Sequence, residues 1–336
     1  MATYKGINGF AVQSVASDPS PLDEGQVWYN NASYAFKLAA ATTVGTWASG
    51  GNLNTARRSL GGAGTQTATV VFGGRTAPGG YSAATENYNG TSWTTSPNSM
   101  TTARQGVAGV GTQTAALAIG GEDDPAVISA PLAVESWNGT SWTSSPALNT
   151  ARTDGGAAGT QTSAVFAGGS ITGPALANTE NWNGTSWTSN PTGLNTAVRN
   201  GGCIGLQNAA LAFGGISNPV PGSAITNVTE SYNGTSWTSL PATMNTTRQG
   251  LRGAGTQTLG VAFGGTTPSF TGATELWNGS TWTSNPNSMS TTRTNLAGTG
   301  TQVSALASGG QNPSVTTATE EFTGPGSPTT KTITTS

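Results

Sequence analysis

A pattern of roughly 47 residues occurs six times along this chain, and it constrains the fold more than any other feature of the sequence. Each copy contains an arginine, a Gly-Gly pair and a glutamate, and in all but the last copy an Asn-Gly dipeptide and a tryptophan follow. The arginines, spaced by 47, 48, 47, 49 and 45 residues, are Arg57, Arg104, Arg152, Arg199, Arg248 and Arg293. The glutamates are Glu86, Glu135, Glu180, Glu230, Glu275 and Glu320. Such a repeat predicts one small structural unit, used six times, whose copies bury each other's apolar faces.

Each copy has the pattern of four short β-strands. The first strand is rich in glycine and alanine, as in residues 60–63, and the second is the most apolar, as in residues 69–72. The third and fourth, at residues 85–88 and 91–94, flank Asn-Gly, which predicts a two-residue type I′ hairpin. Such a hairpin would place Tyr88 opposite Thr91 and Glu86 opposite Trp93, with all four on one face.

The tryptophans indicate how the two ends of the repeat array meet. The last copy ends near Glu320 without a tryptophan strand, whereas Trp47 lies 10 residues before Arg57, as Trp142 lies before Arg152. We therefore expect the strand around Trp47 to complete the last unit. The sequence thus predicts an all-β protein, a six-bladed β-propeller closed by an N-terminal strand. The tryptophans expected to be structural are Trp47, Trp93, Trp142, Trp187, Trp237 and Trp282.

The sequence predicts three regions. Residues 1–44 form a short N-terminal arm, residues 45–325 the propeller, and residues 326–336 an exposed threonine-rich tail. Within the arm, residues 28–31 and 34–36 predict a small hairpin. The arm is expected either to anchor the propeller to a larger assembly or to pack as a strand on the propeller's side.

The composition excludes several classes of function. The chain has no histidine, so Ser-His-Asp and Cys-His catalysis and histidine metal sites are ruled out. The net charge of -2 provides no basic surface for nucleic acid, and no apolar stretch predicts membrane insertion. The single cysteine, Cys203, is expected to be a small buried residue. We expect no enzyme, no cofactor and no metal site.

The recurring charged residues are expected to be structural. A role repeated once per unit favours arginine–carboxylate pairs, or arginine stacked on tryptophan, over a catalytic ring. Asn-Gly-Thr and Asn-Gly-Ser match the glycosylation pattern, but the hairpin requirement explains them without a sugar.

The segments between each Gly-Gly pair and the following glutamate strand vary in length and are expected to emerge on one face. Variable loops on a rigid scaffold are where binding usually resides. The residues proposed for binding are Arg75, Tyr81, Glu122, Asp123, Asp124, Asn218 and Phe270. The acidic run from Glu122 to Asp124 is either a solvated loop tip or a Ca²⁺ site.

The order of arginine, Gly-Gly, aromatic residue and tryptophan over residues 45–325 resembles the kelch repeat. The Thr-Ala-Arg, Gly-Thr-Gln-Thr and Asn-Gly-Thr-Ser-Trp segments are also similar to those of kelch-type virion proteins of marine bacteriophages, as is the stretch from Gly25 to Asn30. This resemblance implies a kelch-like propeller in a virion structural protein of the tail or fibre. The low charge departs from common kelch domains.

Two classes of function follow from these patterns. The first is a phage virion component, located in the virion, whose arm contacts other virion proteins and whose propeller face binds a host surface glycan, a receptor or a neighbouring virion protein. Its variant is a capsid-surface decoration protein. The second is a cellular kelch-type scaffold for protein interactions. A secreted carbohydrate-active enzyme is disfavoured, because Tyr88 stands where the sialidase repeat motif has an aspartate.

Overall fold

The computed structural model describes residues 12–19, 26–41, 44–123, 133–171, 173–218, 222–326 and 328–333. In these ranges the chain is all-β and forms no helix, and therefore no helix that could cross a membrane. The chain divides into two compact units. The large unit extends from Thr46 to Thr323, and the small unit contains the segments on either side of it.

The small unit contains one four-stranded sheet. Its strands, in spatial order, are Gln13–Val15, Val27–Asn30, Ala35–Ala41 and Pro328–Thr332. The second and third form the expected hairpin, in which Tyr29 is opposite Phe36 and their rings are 5.1 Å apart. The fourth strand pairs antiparallel with the third, so the structure joins the arm and the tail, which the sequence suggested were separate regions, in one sheet.

The large unit consists mainly of four-stranded antiparallel sheets, one for each repeat. The first strands are Gly61–Gly64, Ala108–Thr112, Gly156–Gly159, Gly202–Leu206, Arg252–Gly255 and Ala297–Gly300. The second strands are Thr69–Phe72, Ala115–Ile119, Ala164–Ala167, Ala209–Phe213, Gly260–Phe263 and Ser304–Ser308. The third strands are Thr85–Tyr88, Val134–Trp137, Thr179–Trp182, Thr229–Tyr232, Thr274–Trp277 and Thr319–Thr323. The fourth strands are Trp93–Thr95, Trp142–Ser145, Trp187–Asn190, Trp237–Ser239, Trp282–Asn285 and, for the last repeat, Thr46–Ser49.

The strand that contains Trp47 thus belongs to the sheet of the last repeat, where Trp47 is opposite Phe322. Short strands in the fourth and fifth repeats form small additional sheets; four of them lie between the second and third strands, and Val198–Arg199 precedes the first strand of the fourth repeat. These strands are Val198–Arg199, Ile216–Ser217, Ala224–Ile225, Thr266–Thr267 and Ser269–Phe270. The first strand of each sheet lies beside the first strands of two other repeats. This all-β arrangement is compatible with a β-propeller.

The hairpin between the third and fourth strands differs from the predicted one. Tyr88 is opposite Trp93, and Glu86 is opposite Thr95, so the loop has four residues rather than two. The Asn89 side chain accepts hydrogen bonds from the backbone N–H groups of Thr91 and Ser92, at 3.0 and 2.9 Å. This turn replaces the predicted type I′ turn, because the asparagine oxygen supports a longer loop that is also closed by the bond from Asn89 N to the Ser92 carbonyl oxygen at 3.2 Å. The new register brings the Tyr88 and Trp93 rings to 4.9 Å.

Each sheet is bound to the preceding one by a glutamine and by apolar side chains. Gln113 Nε2 donates to the carbonyl oxygens of Thr69 and Tyr88, at 3.1 and 2.6 Å. The equivalent glutamines, which bond in the same way, are Gln66, Gln161, Gln207, Gln257 and Gln302. The buried apolar clusters also span two repeats, as where the Phe72 ring meets the Trp142 ring at 4.8 Å. Backbone carbonyls between sheets are thereby satisfied without water.

The repeat tryptophans add a hydrogen bond across the same interface, with one exception. The Trp142 indole N–H donates to the Thr85 hydroxyl of the preceding sheet at 2.8 Å. Four further tryptophans make the equivalent bond to a threonine: Trp47, Trp93, Trp237 and Trp282. Within the described residues the buried Trp187 Nε1 has no hydrogen-bond partner, since Val134 stands where the other repeats have threonine. An unpaired buried donor is destabilising.

Val134→Thr is therefore expected to stabilise the protein. The new hydroxyl would accept from Trp187 Nε1 and raise the free energy of unfolding by about 1 kcal/mol, measured by urea denaturation. Val134→Ala is the control: it removes apolar contacts without adding an acceptor and is expected to be less stable than the wild type. A Val134→Thr variant no more stable than wild type would contradict the account of this interface.

Candidate functional site

The arginines and glutamates of five repeats form buried ion pairs. The pairs are Arg57–Glu86, Arg104–Glu135, Arg152–Glu180, Arg248–Glu275 and Arg293–Glu320, with N–O distances of 2.8 to 3.3 Å. All ten side chains are at most 2% exposed. Burial lowers the pKa of Arg293 to about 10, and Glu320 opposes that shift, so the guanidinium is charged at neutral pH. Each ion pair connects the segment before the first strand of a repeat to the third strand of the same repeat.

In four of the five pairs, all but Arg293–Glu320, the arginine also holds the base of a variable loop, as the fifth repeat illustrates. Arg248 Nη1 donates to the carbonyl oxygens of Gly264 and Ala273, at 3.0 and 2.6 Å, on either side of the segment that contains Phe270. Glu275 Oε2 accepts from the Asn245 backbone N–H at 2.7 Å. The ion pair thus fixes both ends of the loop and the link that enters the repeat. A loop held in this way presents its side chains with little loss of conformational entropy on binding.

The fourth repeat departs from this scheme, and Arg199 does not occupy the position that the sequence analysis gave it. The carbonyl oxygen of Val198 accepts a hydrogen bond from Gly169 N at 2.8 Å. In the preceding repeat the carbonyl oxygen of Arg152 accepts the equivalent bond from Gly121 N. Val198 is therefore the residue equivalent to the arginines, and Arg199 follows it. The Thr-Ala dipeptide that precedes Val198, as it precedes Arg152, is the sequence signal that would have given the correct register.

Glu230 consequently has no arginine partner among the described residues. It is 2% exposed, and its two carboxylate oxygens accept hydrogen bonds from the backbone N–H groups of Asn195 and Thr196, both at 2.8 Å. The side-chain amide of Asn195 donates a further bond to it at 3.0 Å. Neutral donors thus replace the guanidinium in this repeat.

A circuit of backbone hydrogen bonds connects the six repeats just before their first strands. We call its residues the annulus: Ser59, Gly106, Asp154, Asn200, Gly250 and Asn295. Each donates its N–H to the carbonyl oxygen of the preceding member, and Ser59 donates to Asn295, at distances of 2.7 to 3.1 Å. All six have φ between 51° and 65°, a left-handed conformation that favours glycine, asparagine and aspartate.

A pocket of about 290 Å3 lies beside the annulus, against the loops of the fifth and sixth repeats. We call it the amide pocket. Its lining residues are Asn200, Gln249, Gly250, Thr266, Pro268, Phe270, Thr294, Asn295 and Gln311. The structure records no hydrogen bond for the side-chain amides of Asn200, Gln249, Asn295 and Gln311 to any described residue, and the Phe270 ring is half-buried. The pocket thus offers donors, acceptors and one aromatic surface.

The residues predicted for binding lie in separate places. Phe270 lines the amide pocket, whereas Asn218 Nδ2 lies 3.5 Å from the Ala175 carbonyl oxygen. Arg75, Tyr81 and Glu122 come together elsewhere: the Arg75 guanidinium lies 5.9 Å from the Tyr81 ring centre, and the Tyr81 hydroxyl donates to Glu122. Burial and the Glu122 hydrogen bond raise the pKa of Tyr81 to about 12.

The Ca²⁺ alternative finds no support in the described part of the chain. Asp123 lies within it and Asp124 outside it, and no group of three or more carboxylate or cysteine side chains that could hold a metal ion occurs there. The amide residues of the pocket were missed because Asn200, Gln249 and Asn295 lie near the repeat arginine position rather than in a variable loop. Only the fold brings that position beside Phe270.

The fifth and fourth repeats give a matched test of the ion pairs. Glu275→Gln leaves the buried Arg248 without an anion and is expected to lower the free energy of unfolding by about 3–5 kcal/mol. Glu230→Gln removes a carboxylate that has no arginine partner, and its amide oxygen still accepts a backbone bond, so the loss should be about 1 kcal/mol. Urea denaturation followed by tryptophan fluorescence measures both. Equal losses would show that the arginine partner is unimportant.

Comparison with known proteins adds no family to these findings. No family model matches the chain, and a search of curated proteins finds no match. The candidate site is therefore defined by its own geometry: a pocket of amides, hydroxyls and one aromatic ring beside the annulus, with the fifth-repeat loop held at both ends by the ion-paired Arg248.

Proposed function

We propose that residues 46–323 form a closed six-bladed β-propeller of kelch-like repeats that acts as a saccharide-binding module. The six-bladed ring is supported by the annulus, whose hydrogen bonds return from Asn295 to Ser59, and by the Trp47 strand in the sheet of the last repeat. The Trp47 strand gives the third strand of the last repeat the antiparallel neighbour that the other third strands have, and radial repetition of such sheets leaves only short, protected edges.

The amide pocket carries the proposal of a saccharide ligand. A sugar hydroxyl both donates and accepts a hydrogen bond, and a side-chain amide offers both groups. Gln249, Asn295 and Gln311 supply such amides, and Thr266 and Thr294 supply hydroxyls. The Phe270 ring gives an apolar surface against which the C–H face of a pyranose can pack. A few convergent polar groups around an aromatic wall are typical of a small-ligand site.

The pocket supports binding rather than catalysis. Among the described residues its lining contains no carboxylate, cysteine or basic side chain, so it offers no general acid or base that would activate its threonine hydroxyls. The carboxylate of the fifth repeat, Glu275, is 1% exposed and is held by Arg248. The repeat charges therefore support the walls of the site and do not reach a ligand in it.

The propeller is, in this proposal, part of a phage virion, associated with the tail or fibre. The similarity of its repeat segments to those of marine phage virion proteins supports this placement. The small unit would contact a neighbouring virion protein. Its side chains Tyr34 and Phe36, which are 80% and 48% exposed, give it an apolar surface for such a contact. The propeller face would then be free for a host surface glycan.

A panel of neutral, carboxylated and sulfated oligosaccharides tests the binding proposal. The full chain is expected to bind a subset of the panel, and Phe270→Ala and Gln249→Ala should each weaken binding about 10-fold, measured by calorimetry on the best ligand. Gln105→Ala is the matched control, because Gln105 has the same repeat position outside the pocket. Failure of the folded protein to bind any sugar, or equal binding by all variants, would contradict the proposal.

Immunogold electron microscopy tests the location. Antibody to this chain is expected to label the tail or fibres of purified particles from the source of the sequence. Label over the head would make the protein a capsid decoration. Abundant protein in cell extract with no label on particles would contradict the virion proposal and favour a cellular scaffold.

A further inference from the structure

We propose that the saccharide is an N-acetylated amino sugar, whose acetamido group enters the amide pocket. This inference rests on the proposed saccharide function and names the class of sugar. The arrangement of the pocket's side chains on three neighbouring repeats supports it.

The pocket lies between two short ladders of paired backbone. In the fifth repeat Gln249 is opposite Thr266, and Thr266 is opposite Phe270. In the sixth repeat Thr294 is opposite Gln311. Directly opposite residues of an antiparallel pair have their side chains on one face. The three side chains of the fifth repeat therefore form one wall of the pocket, and the two of the sixth repeat form part of another.

Gly250 allows groups of the sixth repeat to approach the fifth. A Cβ atom added to Gly250 would lie 2.0 Å from Thr294 Oγ1 and 2.8 Å from Asn295 Oδ1. Because Gly250 has no side chain, a hydroxyl and an amide fit beside it in the pocket lining. Asn200 of the fourth repeat also lines the pocket, so its side-chain amides come from three repeats.

The corresponding position between the first and second repeats is closed by a side-chain hydrogen bond. Tyr81 corresponds to Phe270, since each is opposite the residue after a Gly-Gly pair, and Glu122 corresponds to Gln311. The Tyr81 hydroxyl donates to Glu122 and so connects the two repeats. Phe270 has no hydroxyl, and the Gln311 amide has no recorded bond to any residue that the structure describes. The Gln311 amide is therefore available to a ligand.

An acetamido group matches these donors and acceptors. Its amide is planar and trans, so its carbonyl oxygen and its N–H point in opposite directions and need partners on two sides. A side-chain amide supplies both a donor and an acceptor, and the pocket has one on each wall, in Gln249 and Gln311. The methyl group is apolar and can pack against the half-buried Phe270 ring and against Pro268. A hydroxyl on the same sugar carbon would leave part of these contacts unmade.

Charged substituents fit the pocket less well. In the described part of the chain its lining contains no charged side chain, so a carboxylate, sulfate or ammonium group would lose hydration without gaining a partner of opposite charge. The pocket volume of about 290 Å3 is near the lower end of the range for small-molecule sites, about 300–1,000 Å3, which suits one sugar ring with its substituent.

Ligand-observed NMR titration with the methyl glycosides of N-acetylglucosamine and N-acetylgalactosamine tests this assignment, with the parent hexosides and the free amines as matched ligands. The wild-type protein is expected to bind at least one acetamido sugar about 10-fold more tightly than its hydroxyl and amine counterparts, which lack the methyl contact and one of the hydrogen bonds. Equal or tighter binding of the counterparts, or binding of other sugars only, would overturn the inference while the saccharide function stands. Absence of binding by every sugar would instead contradict the saccharide function itself.

Two variants test whether the acetamido group lies in the pocket. Phe270→Tyr adds a hydroxyl that can bond to Gln311, as Tyr81 bonds to Glu122, and is expected to weaken binding of the acetamido sugar about 10-fold. Gln311→Glu keeps the shape of the side chain but removes its donor, and it should reduce the preference for the acetamido over the hydroxyl form. Tyr81→Phe is the matched control, since it makes the reverse exchange at the corresponding position of the first repeat and should leave affinity unchanged. Wild-type selectivity in both pocket variants would overturn the assignment.

Discussion

The interface between one four-stranded sheet and the next is the interaction on which the rest of this structure depends. The strands have only three to five residues, so a single sheet cannot bury its own apolar faces. Each interface combines an apolar cluster drawn from two repeats with a glutamine that satisfies two carbonyl oxygens of the neighbouring sheet. The side-chain hydrogen bonds of the glutamines and tryptophans add directional specificity to these apolar contacts.

The buried ion pairs have a different role, within a repeat rather than between repeats. A buried pair is weak evidence for stability, since desolvation offsets much of the attraction. Its value here is positional: Arg248 binds both ends of a loop, and Glu275 binds the link before it. The sequence has few charges, and it uses most of its arginines in this way. The variable loops of the first, second, third and fifth repeats therefore start from the same base, two carbonyl oxygens bound by one guanidinium.

The residues that break the repeat are the ones that carry the proposed chemistry. Phe270 belongs to a segment that differs in length and sequence from one repeat to the next, and it lines the amide pocket together with side chains of the fourth, fifth and sixth repeats. A symmetric scaffold gives every copy the same support, so a ligand site arises where individual side chains depart from the pattern. The fourth repeat illustrates the cost of such a departure, because Glu230 is left with neutral donors in place of a guanidinium.

The sequence by itself determined the all-β class and the approximate positions of the four strands in each repeat, because these depend on local alternation, glycine pairs and a period repeated six times. It did not determine the hairpin register: Asn89 closes a four-residue loop with its side chain, a choice that the Asn-Gly dipeptide leaves open. It also misplaced Arg199, since spacing alone cannot distinguish neighbouring positions. Only the tertiary structure placed Asn200, Gln249 and Asn295 beside Phe270, because residues far apart in the chain meet only once neighbouring sheets have packed.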